Sequence, residues 1–159
     1  MWPSTGAGIR LDQLEADVQL LLDLGANYVR GAHYPQDERF LDLCDEKGIV
    51  VWEEALGPGV TVADIQDPVF MKYQEQALNE MISASINHPS VIFHGFFNEG
   101  PSNNKLACSG YKKCGDVIRS RVGNPPSRLV TWASNQGEND VCLEYADVIS
   151  FNSYPAWYS

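Results

Sequence analysis

The sequence predicts an α/β chain built on a parallel sheet, and three observations carry that prediction. Helical and strand patterns alternate along the 159 residues, at roughly 30 residues per unit, the size of a strand–helix–strand repeat. The connections between them are short, so successive strands must be joined by right-handed crossovers and lie parallel, with both faces covered. After the first strand, Arg30-Gly31-Ala32-His33-Tyr34-Pro35 is not a phosphate-binding glycine fingerprint. Periodicity alone leaves two architectures, an open doubly wound sheet and a (β/α)8 barrel, and the missing fingerprint favours the barrel. One domain is expected at this length.

Leu11, Leu14, Val18, Leu21 and Leu22 recur at helical spacing, and Gly25 stands where a left-handed cap would end the helix near Leu24. Asn27-Tyr28-Val29-Arg30 reads as a short buried strand. Asp37 can cap a second helix with Phe40, Leu43 and Cys44 on its inner face and Gly48 as its stop. Ile49-Val50-Val51-Trp52 follows as the clearest strand. Asp67 caps a third helix with Pro68 in its first position, where a missing N–H does no harm. Its apolar stripe is Phe70, Tyr73, Ala77, Met81 and Ile82, and Asn87-His88-Pro89-Ser90 breaks it. Val91 to Phe97 is a third strand, and a polar loop from Gly100 to Gly110 leads to a fourth helix over 111–122, closed by Gly123-Asn124-Pro125-Pro126. Leu129 to Trp132 makes a fourth strand, 140–145 a short helix and 148–152 a fifth strand.

Composition narrows the function classes. Eleven basic side chains against 21 acidic ones give a net charge of −10, which disfavours nucleic acid and anionic membrane surfaces as partners. With 44% hydrophobic and 20% charged residues, a packed core and a soluble chain are expected. No apolar run approaches the roughly 20 residues needed to span a bilayer, and the N-terminus has neither the basic nor the apolar region of a secretory signal. The compartment is otherwise undetermined. Cys44, Cys108, Cys114 and Cys142 have no zinc-site spacing. They read as buried or idle thiols, with Cys108 and Cys114 as the pair that could bridge in an oxidising compartment.

In a parallel barrel the reactive groups sit at the C-terminal ends of the strands. Those ends read, in order, Arg30 with His33 and Tyr34, then Glu53-Glu54, Asn98-Glu99, Trp132, and Asn152 with Tyr154 and Trp157. Carboxylates for proton transfer, amide and imidazole groups for hydroxyls, and rings that stack on sugar C–H faces thus fall in one constellation. His88 enters a strand on the stability face and reads as structural, and His94 as a core residue.

The same residues carry a resemblance. Gly25 to Pro35, Val51-Trp52-Glu53-Glu54, Asn87 to Phe93, Asn98-Glu99 and the ending Asp147 to Tyr154 with Trp157-Tyr158 resemble the catalytic barrel of glycoside hydrolase family 2. The ending is similar to its glucuronidase-like members, and nearly the whole chain from about Arg10 is covered. The resemblance implies an α/β fold that is a partial (β/α)8 TIM barrel, about strands two to six, occupying residues 1–159. It implies a retaining β-glycosidase of the β-galactosidase/β-glucuronidase type, with a β-glycoside as carbohydrate substrate, no cofactor and no metal. Glu99 matches the family's general acid/base, which must deliver a proton to a poor leaving group, and Asn98 the residue contacting the sugar 2-hydroxyl. His33 matches a sugar-holding residue, Arg30 one on the barrel floor, and Glu54 the second acid of the usual Asp-Glu pair. Tyr154 and Trp157 match the lining of the sugar site. The chain departs from the family's common residues at His94 and Phe97. The family's nucleophile ends the seventh strand, which the matched strands do not include. The 159 residues are therefore expected to be inactive alone and prone to self-association through open barrel edges. A non-catalytic carbohydrate-binding or assembly remnant of such a barrel is the alternative.

Overall fold

Asp37 and Gly48 frame a helix as the sequence requires: Asp37 accepts a hydrogen bond from the Arg39 backbone N–H, and Gly48 adopts φ +70° just past the last turn. The computed structural model describes residues 2–55, 57–123 and 126–157. In chain order the elements are α1 (Leu11–Asp23), β1 (Tyr28–Gly31), α2 (Glu38–Lys47), β2 (Val50–Glu54), α3 (Val62–Gln66), α4 (Pro68–Ser85), β3 (Val91–Gly95), α5 (Cys108–Arg121), β4 (Leu129–Thr131), β5 (Ala133–Ser134) and β6 (Ser150–Phe151). Asp67 caps α4 through the Val69 N–H with Pro68 in the first turn, as expected. Tyr158, and Asn124 and Pro125 of the turn expected to close α5, lie outside the described residues.

The strands β1-β2-β3-β4 pair in sequential order, all parallel, and β5 pairs with β6, also parallel. This order has no reversal about a central strand, so the sheet is part of a barrel and not a doubly wound one. One expectation needs correction, because the fourth strand is not continuous. It breaks at Trp132, whose buried ring packs 4.7 Å from Tyr111 and 5.7 Å from Phe96. The fifth strand shortens to Ser150–Phe151. Before it, Asp147 and Val148 both donate backbone N–H groups to the Val130 carbonyl, and Thr131 Oγ1 donates to the Val148 carbonyl. The short helix expected at 140–145 is two 3-10 turns, Gly137–Asn139 and Leu143–Tyr145.

The core lies in two clusters. One joins Leu78, Met81, Ile82, Phe96, Phe97, Tyr111, Ile118 and Trp132 between the sheet and α4–α5; the other joins Val18, Leu41, Cys44, Ile49, Val51 and Val91 under α1–α2. The inner face of α4 is rotated by one position from the expected stripe. Met71, Gln74, Leu78, Met81 and Ile82 are buried, whereas Tyr73 is exposed. In α1 Leu11 is likewise exposed, and Gln13 takes an inner place. Cysteine pairing also differs: Cys108 bonds to Cys142, and Cys114 is a buried thiol beside the α5 core. Cys114 sits mid-helix within the buried core, while Cys142, between the two 3-10 turns, returns to the start of α5.

His94 is fully buried in β3, opposite Glu53 of β2, and neither ring nitrogen has a partner among the described residues. Burial, aided by the Arg128 charge, pushes its pKa down from 6.5 to about 4. The folded chain therefore favours the neutral ring. Its contribution to stability is complete above pH 6.5 and is lost as pH falls toward 4, by on the order of 3 kcal/mol. Urea midpoints across that window should fall in the natural protein and flatten in His94→Leu; equal slopes in both would assign acid sensitivity elsewhere.

Candidate active site

Each strand end presents its polar group for a local reason. In β3, Gly95 lies under the Trp52 indole, where an added Cβ would come within 2.2 Å of Trp52 Nε1. The ring can therefore sit flat against the sheet, and the Arg30 guanidinium rests 4.5 Å above it, a favourable cation–π arrangement. Past β3 the chain turns sharply through Phe97 at φ +49° and Glu99 at φ +52°. Non-glycine residues hold such angles only where their surroundings impose them. Phe97 is fully buried in the α4–α5 core, so the turn directs Asn98 and Glu99 to the strand-end face.

A continuous set of hydrogen bonds joins the predicted residues there. Arg30 Nε donates to Glu54 Oε1 at 2.6 Å, Nη2 to Asn98 Oδ1 at 2.7 Å and Nη1 to Asn152 Oδ1 at 3.1 Å. His33 Nδ1 lies 2.9 Å from the other Glu54 oxygen. Asn152 Nδ2 donates to Asn98 Oδ1 at 3.0 Å and to Glu99 Oε1 at 2.8 Å, and the Tyr154 hydroxyl donates to the same Glu99 oxygen at 2.8 Å. Glu54 is 4% exposed, so the salt bridge to Arg30 holds an almost fully buried carboxylate. Among the described residues nothing donates to Glu99 Oε2, and Asn98 Nδ2 donates to nothing. The arrangement leaves one carboxyl oxygen and one amide donor, on adjacent residues, available to a ligand.

Arg30, His33, Glu54, Asn98, Glu99 and Tyr154 therefore converge. Trp157 does not join their hydrogen bonds: the residue is 78% exposed, and its backbone N–H donates to the Tyr154 carbonyl. Sequence reasoning gives Asn152 only the general part of a strand-end amide for hydroxyls, yet it touches Arg30, Asn98 and Glu99; Trp52, the seat of Arg30, has no individual role there. The signal for Trp52 was its position two residues before Glu54 on the same strand face. Glu53 alternates to the other face, where Oε1 accepts the Gln36 N–H at 2.9 Å and burial pushes its pKa up.

At the opposite end of the sheet, Asp42, Asp45 and His88 bring one ligand atom each within 4.8 Å, a spacing that could hold a metal ion. Asp45 is already engaged by the His88 ring at 2.7 Å and the Ser90 N–H at 2.8 Å, which fasten the turn entering β3. That agrees with a structural His88.

Comparison with known proteins adds four observations. The family model described as glycosyl hydrolases family 2, TIM barrel domain, matches residues 2–159. The beta-glucuronidases of Canis lupus familiaris and Homo sapiens are each 36% identical over 154 residues, covering 96% of this chain and 23% of theirs. A GH2 beta-galacturonidase from Eisenbergiella tayi, bound to galacturonate, superposes with a TM-score of 0.91 at 39% identity, over 98% of this chain and 27% of that one. The Bifidobacterium dentium beta-glucuronidase complexed with coumarin-3-O-glucuronide gives 0.89 at 27% identity, over 97% and 25%. The chain spans about a quarter of the length of these proteins.

Proposed function

From the premise that this chain belongs to glycosyl hydrolase family 2, matching its TIM barrel domain, we propose that it carries the acid/base half of a retaining β-glycosidase site for β-linked uronic acids. The observation that carries this reading is Glu99: one carboxyl oxygen is steadied by Asn152 and Tyr154, and the other takes no donor among the described residues. As the glycosidic C–O bond breaks, Glu99 gives its proton to the leaving oxygen. The carboxylate left behind keeps two donors, which stabilise the charge as it forms. Asn98, fixed by Arg30 and Asn152 through its oxygen, offers its NH2 to a sugar hydroxyl, and Glu54 holds the His33 ring toward the same space. The uronide substrate class is supported by the names of the relatives.

Retention also needs a nucleophilic carboxylate roughly 5–5.5 Å from the acid. Glu54 is committed to Arg30 and His33, and Glu53 faces the helix layer, so the nucleophile comes from outside these residues. Azide can stand in for it. With phenyl β-D-glucuronide, azide attacks C1 from the α face, and the C1–O electron pair leaves with phenol, which takes the Glu99 proton. The 159-residue chain is expected to form α-glucuronosyl azide while hydrolysing nothing in its absence. Retaining hydrolysis without azide would place the nucleophile within the chain. No azide product would favour the non-catalytic carbohydrate-binding reading.

A further inference from the structure

The two left-handed residues flanking Asn98 leave open what holds Glu99 in place. Its own backbone N–H donates to the Ala133 carbonyl at 2.9 Å, just after the break at Trp132. The loop that follows, from Gly100 to Ala107, is fastened to the segment 134–142. Ser102, fully buried, gives its hydroxyl to Asp140 Oδ2 at 2.6 Å and lies 3.4 Å from the Ser134 hydroxyl. Asp140, 7% exposed, also accepts Trp132 Nε1 at 3.3 Å and the Cys142 N–H at 2.9 Å, while the Val141 N–H donates to the Ser102 carbonyl at 2.9 Å. The Cys108–Cys142 disulfide closes the far end of the same two segments.

We propose that Asp140 is a positioning residue for Glu99, and that the Cys108–Cys142 disulfide makes that position dependent on redox state. The inference rests on the reading of Glu99 as the acid. Neither loop belongs to a strand ladder between 100 and 107 or 135 and 142, so side-chain fastening, with the Val141–Ser102 backbone bond, does there what a ladder does elsewhere. Loosening it removes the constraint that keeps Glu99 at positive φ, and the residue can relax away from Asn152 and Tyr154. The redox step balances with a dithiol as reductant. Its thiolate attacks one sulfur, a mixed disulfide forms, and the second thiolate resolves it. Two electrons and two protons pass to Cys108 and Cys142 as thiols, and the dithiol ends as its own disulfide.

Backbone and side-chain NMR of the 159-residue chain, with and without dithiothreitol, tests this. On reduction, hydrogen exchange at the Glu99 N–H should rise on the order of tenfold, and the Asn152 side-chain NH2 resonances should shift, while the amides of α2 keep their rates. Asp140→Asn with the disulfide intact should reproduce both changes, and Ser102→Ala serves if that variant does not fold. An unmoved Asn152 signal, or α2 amides accelerating by the same factor as Glu99, would overturn the proposal, since a clamp that adds only global stability gives that pattern. None of these readouts needs a substrate, so a failed azide reaction leaves this test intact.

Discussion

Replacing Glu99 with glutamine is expected to slow azide-supported release of phenol from phenyl β-D-glucuronide by about 10²- to 10⁴-fold, the range for a positioned general acid. Glutamine keeps the size of the side chain and an oxygen for Asn152 Nδ2 and the Tyr154 hydroxyl, so the site should stay assembled. What it lacks is the proton. The loss should therefore depend on the leaving group: 2,4-dinitrophenol departs without protonation, and its release should barely change. Product analysis on the two substrates decides the matter, and equal losses on both would remove the acid role from Glu99.

The second large effect is on stability. Arg30→Ala removes the partner of a carboxylate that is 4% exposed and withdraws the donor that fixes Asn98 and Asn152. Breaking a buried pair from one side typically costs 3–5 kcal/mol, and among the described residues Glu54 keeps only His33 as a partner, so a loss of about 3 kcal/mol is expected from urea unfolding. Arg30→Ala combined with Glu54→Gln should recover much of it, because the stranded charge is then gone. Arg30→Lys should recover little, since one ammonium cannot face Glu54, Asn98 and Asn152 as a planar fork does. A double variant no more stable than Arg30→Ala would show that packing on Trp52, not charge, dominates.

The parts of this architecture that were legible from sequence are those governed by short-range chemistry. Asp37 and Gly48, and Asp67 followed by Pro68, set helix ends through capping and backbone geometry that act within a few residues. The carboxylates and amides at the strand ends were legible because alternation of strand and helix decides which end of each strand they occupy. The misreadings, apart from the short α3, involve long-range packing. Apolar residues cover two neighbouring faces of α4, so which face turns inward is decided by the sheet and α5, and buried Gln74 disguises the answer. At five residues, α3 is too short to show a period; only its Thr61–Asp64 capping box marks it. The partner of Cys108 depends on a strand break that Trp132 imposes by packing on Tyr111. Asn152 acquires its role only when Arg30, 122 residues earlier, comes within reach.

That last contact also measures the shape of the sheet. Arg30 belongs to the first strand and Asn152 follows the last, with four interstrand steps between them. At about 4.8 Å per step, the arc from one to the other is about 19 Å. Two extended side chains and a hydrogen bond reach roughly 13 Å across, on bond lengths near 1.5 Å. A chord that short under an arc that long bends the sheet through about half a circle, which is the curvature of a ring that closes at eight strands. The arginine that steadies the strand-end amides is thus also a bowstring, and the radius of the ring is written into a single side chain.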